Sequence, residues 1–210
     1  MNRNIFLACA LALGAIANVL APAAAQQLKG AALFTALEKG GYTIYLRHSI
    51  TDLSQNDSNP IVVGDCTTQR NLSEKGRAQA RAIGKAFKAM HIPVGRVMSS
   101  PYCRTSETAT LAFGSTKPFA PLYYSFRLPK AEASKVAAEL RQALSRPPAH
   151  GTNTVMVGHV SNARDVAGVW PKTEGGGIVF SPGANGFQVI GTFSAAELLE
   201  VAGQSRAGSY

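Results

Sequence analysis

The chain has 210 residues, 46% of them hydrophobic, with 21 Lys and Arg against 12 Asp and Glu, a net charge of +9 and three cysteines. This is enough apolar sequence for one core of ordinary size, and no second domain is needed. The positive surplus attracts anions, but the basic residues are scattered and the aromatic residues few, which argues against a nucleic-acid partner.

The first 25 residues read as a removable export signal. Arg3 supplies the charge, Ile5 to Leu20 the apolar run, and Ala23-Ala24-Ala25 the small-residue cleavage site. Asn18 and Pro22 interrupt the run and no basic stop-transfer cluster follows it, so no stable membrane anchor is expected. The expected division is a signal peptide over 1–25, a single domain over 26–210 and a periplasmic or secreted location. Cys66 and Cys103 would then sit in an oxidising compartment, where a disulfide between them is expected.

The run Gly41 to Arg47 has β character and ends in Arg47-His48. Residues 49–70 are polar, with turn signals at Asn59-Pro60 and Gly64-Asp65, and read as a long functional loop. Ser73 is placed to cap a helix that carries Ala82, Ile83, Ala86, Phe87 and Met90 on one face and ends before Pro93. A strand over Arg96–Ser100, a helix over Tyr102–Phe113 and a helix over Ala131–Leu144 follow. Asn153 to Val157 is a strand running into Gly158-His159. Gly177–Phe180 and Phe187–Ile190, parted by Pro182-Gly183 and Asn185-Gly186, read as a β-hairpin at the sheet edge. A last helix is expected from Ser194 to about Val201, with a frayed tail from Gly203. The alternation of strands and helices indicates an α/β domain with a largely parallel central sheet and helices on both faces.

Three polar clusters fall at the C-terminal ends of expected strands: Arg47-His48, Ser99-Ser100 leading to Arg104, and Gly158-His159. That edge is where open α/β sheets bind ligands. Two arginines and two histidines converging there suit a doubly charged tetrahedral anion, because guanidinium donors match phosphate oxygens in pairs. A neutral histidine could attack phosphorus, and neighbouring arginines favour the neutral ring. The other histidine could donate to the oxygens as charge develops.

Four stretches in order, Leu46-Arg47-His48-Ser49, Asn71-Leu72-Ser73-Glu74-Lys75-Gly76-Arg77, Ser99-Ser100-Pro101-Tyr102-Cys103-Arg104-Thr105 and Val157-Gly158-His159, closely resemble the histidine phosphatase superfamily, which includes the phosphoglycerate mutases. The resemblance spans residues 42–192 and implies a three-layer, phosphoglycerate mutase-like fold. It further implies a phosphatase acting on phosphomonoesters through a phosphohistidine on His48, with Arg47, Arg104 and His159 around the phosphoryl group and neither metal nor cofactor. Ser49 stands where many members carry glycine, Val160 where one branch carries aspartate, and Phe119 to Pro129 lacks the carboxylate of the mutase branch. Glu174 is therefore the first candidate for proton donor, before Asp52 and Asp65. The expected partner is a small anionic phosphorylated substrate. Two alternatives stand: a non-catalytic periplasmic protein that binds a phosphorylated ligand, and a phosphatase specific for envelope sugar phosphates. His91 and His150 belong to no motif and are expected at the surface. Nothing in the sequence specifies an oligomeric state.

Overall fold

A computed structural model describes residues 27–207; the expected signal peptide lies outside the described residues. Six strands form one sheet: β1 (Thr43–Arg47), β2 (Val94–Ser99), β3 (Lys117–Pro118), β4 (Asn153–Gly158), β5 (Gly177–Gly183) and β6 (Gly186–Phe193). Their spatial order is β3-β2-β4-β1-β5-β6. The pairings β3-β2, β2-β4 and β4-β1 are parallel, whereas β1-β5 and β5-β6 are antiparallel, the latter being the expected hairpin.

Side chains alternate across the sheet, as a pleated strand requires. Ile44 and Leu46 of β1, Val155 and Val157 of β4 and Val179 of β5 enter one core. Tyr45, Met156, Ile178 and Phe180 enter the other. The first core is closed by helices α1 (Gly30–Glu38), α2 (Glu74–Ala89), α3 (Cys103–Phe113) and α6 (Ala195–Ala207), through Leu33, Phe34, Leu37, Ile83, Phe87, Ala109 and Leu198. Leu140 and Leu144 of α4 (Lys130–Leu144), with Ala163 and Val166 of α5 (Val160–Ala167), close the second. Because both faces are covered, the interior strands are apolar on both sides.

Ser73 caps α2 as expected, its hydroxyl accepting from the Gly76 amide at 3.1 Å. The cap is local, but Gly76 also makes a close packing contact. A Cβ there would lie 1.8 Å from the Ile50 carbonyl oxygen, so only glycine lets the first turn of α2 press against the chain leaving β1. The sulfurs of Cys66 and Cys103 are bonded, tying the 49–70 loop to the first residue of α3.

Four features depart from the sequence expectations. The strand β3 and the helices α1 and α5 were not anticipated. The expected frayed tail from Gly203 is instead helical to Ala207, because Leu198 and Ala202 pack into the first core and offset the cost of one glycine in a helix, about 1 kcal/mol.

Candidate active site

Parallel register aligns the ends of the three central strands. Arg47 pairs with Gly158, and Ser99 with Val157, so the residues following each strand emerge on one edge. The His48 amide donates to the Gly158 carbonyl at 3.1 Å and the Ser100 amide to the Val157 carbonyl at 2.9 Å, carrying the pairing one residue past β1 and β2. His48 and His159 thereby come together, their ring centroids 5.7 Å apart.

The environment of His48 fixes its chemistry. Nδ1 lies 2.9 Å from the Ser49 carbonyl oxygen, which can only accept, so Nδ1 carries the proton and Nε2 keeps its lone pair. Burial is the main reason its pKa falls to about 3; the Ser49 contact opposes the shift, and Arg104, Arg47 and Arg70 add to it. The ring is neutral at ordinary pH. His159 is likewise held well below the usual imidazole range, first by burial and then by Arg104 and His48. Its Nε2 lies 3.0 Å from Ser100 Oγ, and its Nδ1 is buried without a hydrogen-bond partner. The backbone of His159 is secured from below by the Tyr45 hydroxyl, which donates to its carbonyl at 2.7 Å.

The arginines surround this pair. Arg104 is only 1% exposed and lies against the Tyr102 ring, its guanidinium carbon 4.8 Å from the centroid. Arg47 is partly open. A third arginine, Arg70, acts electrostatically on Arg47, Arg104 and both histidines. The Nε atoms of all three are buried without a hydrogen-bond partner. Sequence reasoning missed Arg70; its only signal was a basic residue at the end of a long polar loop, just before the Asn71-Leu72-Ser73 motif.

Of the three acid candidates, the structure brings Glu174 to the site. The Gly175 amide donates to the His48 carbonyl and the Arg47 amide to the Gly176 carbonyl, both at 2.9 Å, which lays this segment alongside β1. Gly175 has φ of +76°, a left-handed conformation in which a side chain would be strained. The Glu174 carboxylate accepts from Thr51 Oγ1 at 2.9 Å and lies 3.6 Å from Arg47 Nη2 and 3.8 Å from His48 Nδ1. It therefore flanks the protonated edge of the ring rather than Nε2. Asp52 and Asp65 are used in turns: the first accepts from Ser54 and Gln55, the second from Thr67.

A carboxylate not anticipated from the sequence also meets the arginines. Asp57, from the 49–70 loop, takes Arg104 Nη1 at 2.9 Å and Nη2 at 3.3 Å, accepts the Arg70 amide at 2.9 Å and lies 4.0 Å from Arg127. Burial pushes its pKa up, but the Arg70 amide and Arg104 outweigh that and leave it below the ordinary aspartate value.

An aromatic wall borders the same space. The Tyr124 ring lies 4.8 Å from that of His159, and the exposed Phe126 ring 5.9 Å from that of Tyr124. This segment is pinned to α5, with Ser125 Oγ bonded to Ser161 and Asp165 and the Asn162 side-chain Nδ2 donating to the Tyr123 carbonyl. Among the described residues, no group of three or more His, Cys, Asp and Glu side chains could hold a metal ion, and no helix is long and apolar enough to cross a membrane.

Comparison with known proteins points the same way as the geometry. Residues 44–128 match the family described as histidine phosphatase superfamily (branch 1). No curated protein matches the sequence. Among solved structures, the chain is similar to the protein histidine phosphatase SixA complexed with tungstate, at 16% identity and a TM-score of 0.51 over 75% of this chain and 99% of that one. It is also similar to Bacillus stearothermophilus YhfR, at 14% identity and a TM-score of 0.51 over 70% and 94% of the two chains. A phosphoserine phosphatase mutant from Entamoeba histolytica is 12% identical, with a TM-score of 0.50 over 75% and 98%. At these identities the likeness is one of fold.

Proposed function

We propose, on the premise that residues 44–128 are those of the histidine phosphatase superfamily, that the chain hydrolyses phosphomonoesters through a phosphohistidine on His48. One observation carries this reading. His48 is buried and neutral, with Nδ1 committed to the Ser49 carbonyl and Nε2 left as a nucleophile among three arginines. In the first step Nε2 attacks phosphorus, the bond to the leaving oxygen breaks, and that oxygen takes a proton. In the second step water attacks the phosphohistidine, releasing phosphate and the free imidazole. Arg47, Arg70 and Arg104 hold the non-bridging oxygens, for which paired guanidinium donors are suited. His159 donates from Nδ1 as charge builds on them; Ser100 Oγ serves the other ring nitrogen and favours that tautomer.

Glu174 sits on the Nδ1 side of His48, so its first task in this mechanism is to orient the ring and Arg47. The Asp57 carboxylate on Arg104 has its pKa lowered and is a poor proton donor, so the chemistry favours leaving groups that need little protonation, such as aryl phosphates, phosphoanhydrides or phosphorylated histidine. Export to an oxidising compartment belongs to the same proposal and is supported by the Cys66–Cys103 bond. A specific envelope sugar phosphate would be a refinement of the substrate.

Rapid-quench labelling with a phosphorus-labelled aryl phosphate tests the reading, using wild type, His48→Ala and Glu174→Gln. Acid-labile, base-stable label is expected on wild type and absent from His48→Ala. Glu174→Gln is expected to keep the label and to lose more turnover with an alkyl ester only if Glu174 is also the proton donor. The second reading, a phosphoryl-ligand binding protein, is favoured by the carboxylate of Asp57 on Arg104. Phosphate binding without label in wild type would establish it in place of the enzyme.

A further inference from the structure

We propose that Asp57 is an internal competitor for the phosphoryl group, which a ligand must displace from Arg104 before it can bind in full. The inference rests on the phosphoryl site proposed above and identifies what limits its affinity.

Asp57 presents two carboxylate oxygens to the two terminal nitrogens of Arg104, the geometry that a phosphoryl group would use on the same guanidinium. Asp57 takes the end-on pair Nη1 and Nη2, Nη1 also points at the Arg70 carbonyl at 3.4 Å, and Nε is buried without a partner. A phosphoryl group that meets Arg104 end-on must therefore take the place of Asp57. The carboxylate is held by few contacts. It belongs to the 49–70 loop, outside any helix or strand, and its other contacts are the Arg70 amide and the more distant Arg127. Downstream, the loop is anchored by the disulfide at Cys66, which limits how far Asp57 can withdraw.

Displacement costs every anion the same Arg104–Asp57 contact, so it lowers affinity without choosing among ligands; what favours a dianion is the extra charge that Arg47 and Arg70 can meet. Terminal phosphoryl groups, as in monoesters and phosphoramidates, are therefore the anions that best offset the cost. Once displaced, the Asp57 carboxylate remains close to Arg127, which lies within reach at 4.0 Å and gives it an alternative partner.

Inorganic phosphate and methyl sulfate serve as the probes, titrated calorimetrically into purified wild type and Asp57→Asn. The asparagine keeps the shape and an acceptor for the Arg70 amide while removing the charge. Phosphate is expected to bind Asp57→Asn at least tenfold more tightly, and methyl sulfate to gain by a similar factor, since both displace the same carboxylate. Unchanged or weaker phosphate binding would overturn the inference and make Asp57 a positioning residue for Arg104. A measurement on wild type alone guards against a misfolded variant: the carbon-13 resonance of the Asp57 carboxyl must move as phosphate saturates, and a fixed resonance under saturating phosphate overturns displacement. Binding of phosphate to neither protein would instead overturn the phosphatase reading itself, and this inference with it.

Discussion

Breaking the Cys66–Cys103 bond tests stability and function together. The bridge closes a segment of 37 residues. Chain-entropy theory assigns such a loop about 4 kcal/mol at 25 °C, nearly all of it as a restriction on the unfolded chain. That is a large fraction of the roughly 5–15 kcal/mol by which domains are stable. Cys66 is exposed and Cys103 is buried, so Cys66→Ser/Cys103→Ser adds one buried hydroxyl to the loss of the bridge; reduced wild type supplies a comparison with both sulfurs in place. Urea unfolding of the three proteins should show a loss near 4 kcal/mol and a steeper denaturant dependence, because the uncrosslinked chain exposes more surface. The same bond joins the Asp57 loop to the residue before Arg104, so KM for an aryl phosphate should change more than kcat does. Reduced and oxidised proteins agreeing within 0.5 kcal/mol, or a defect confined to kcat, would refute the reasoning.

Three further outcomes follow from particular contacts. His48 and His159 are neutral when folded, with pKa values pushed below the ordinary imidazole value, so only the unfolded chain gains these protons as pH falls from about 6.5. Stability is therefore full above that pH and declines below it toward the folded pKa, near 3 for His48, by up to about 1.4 kcal/mol per pH unit for each ring; thermal unfolding of wild type against His48→Asn should show the shallower decline in the variant. Gly76→Ala should destabilise by about 3 kcal/mol in denaturant unfolding, since the clash with the Ile50 carbonyl exceeds the roughly 1 kcal/mol that alanine adds to a helix. Tyr45→Phe removes the donor to the His159 carbonyl and should cost about 1 kcal/mol, with weaker phosphate binding by calorimetry.

What could be read from the sequence was what local pattern and strand ends record. β1 and β4 are short apolar runs, and the polar residues that follow them, Arg47-His48 and His159, had to surface on one edge once the sheet was parallel. Ser73 marked the start of α2 through a side-chain bond made within three residues. Arg70 and Asp57 were not legible, because they reach the site through a loop with no periodicity, and which loop carboxylate meets an arginine depends on tertiary path alone. Asp52 and Asp65 carried as much promise in sequence and turn out to organise their own turns. Glu174 was legible as a segment next to glycines, but the edge of His48 that it faces depends on where antiparallel β5 lies. The helix α5 went unread because Ser161, Asn162 and Asp165 are weak helix formers; its stability comes from packing Ala163 and Val166.

The reversal of direction at β5 separates two ends of the molecule. Gly177 enters the sheet opposite Leu46, next to the chemistry, and the strand then runs away from it to the exposed turn at Gly183-Ala184-Asn185-Gly186. At about 3.4 Å per residue that turn lies on the order of 20 Å from the active edge. It is a natural tether point. An affinity handle spliced between Ala184 and Asn185, or a linker to a solid support, would leave the reacting face turned outward, so the protein could be immobilised in one orientation with its site open to solution.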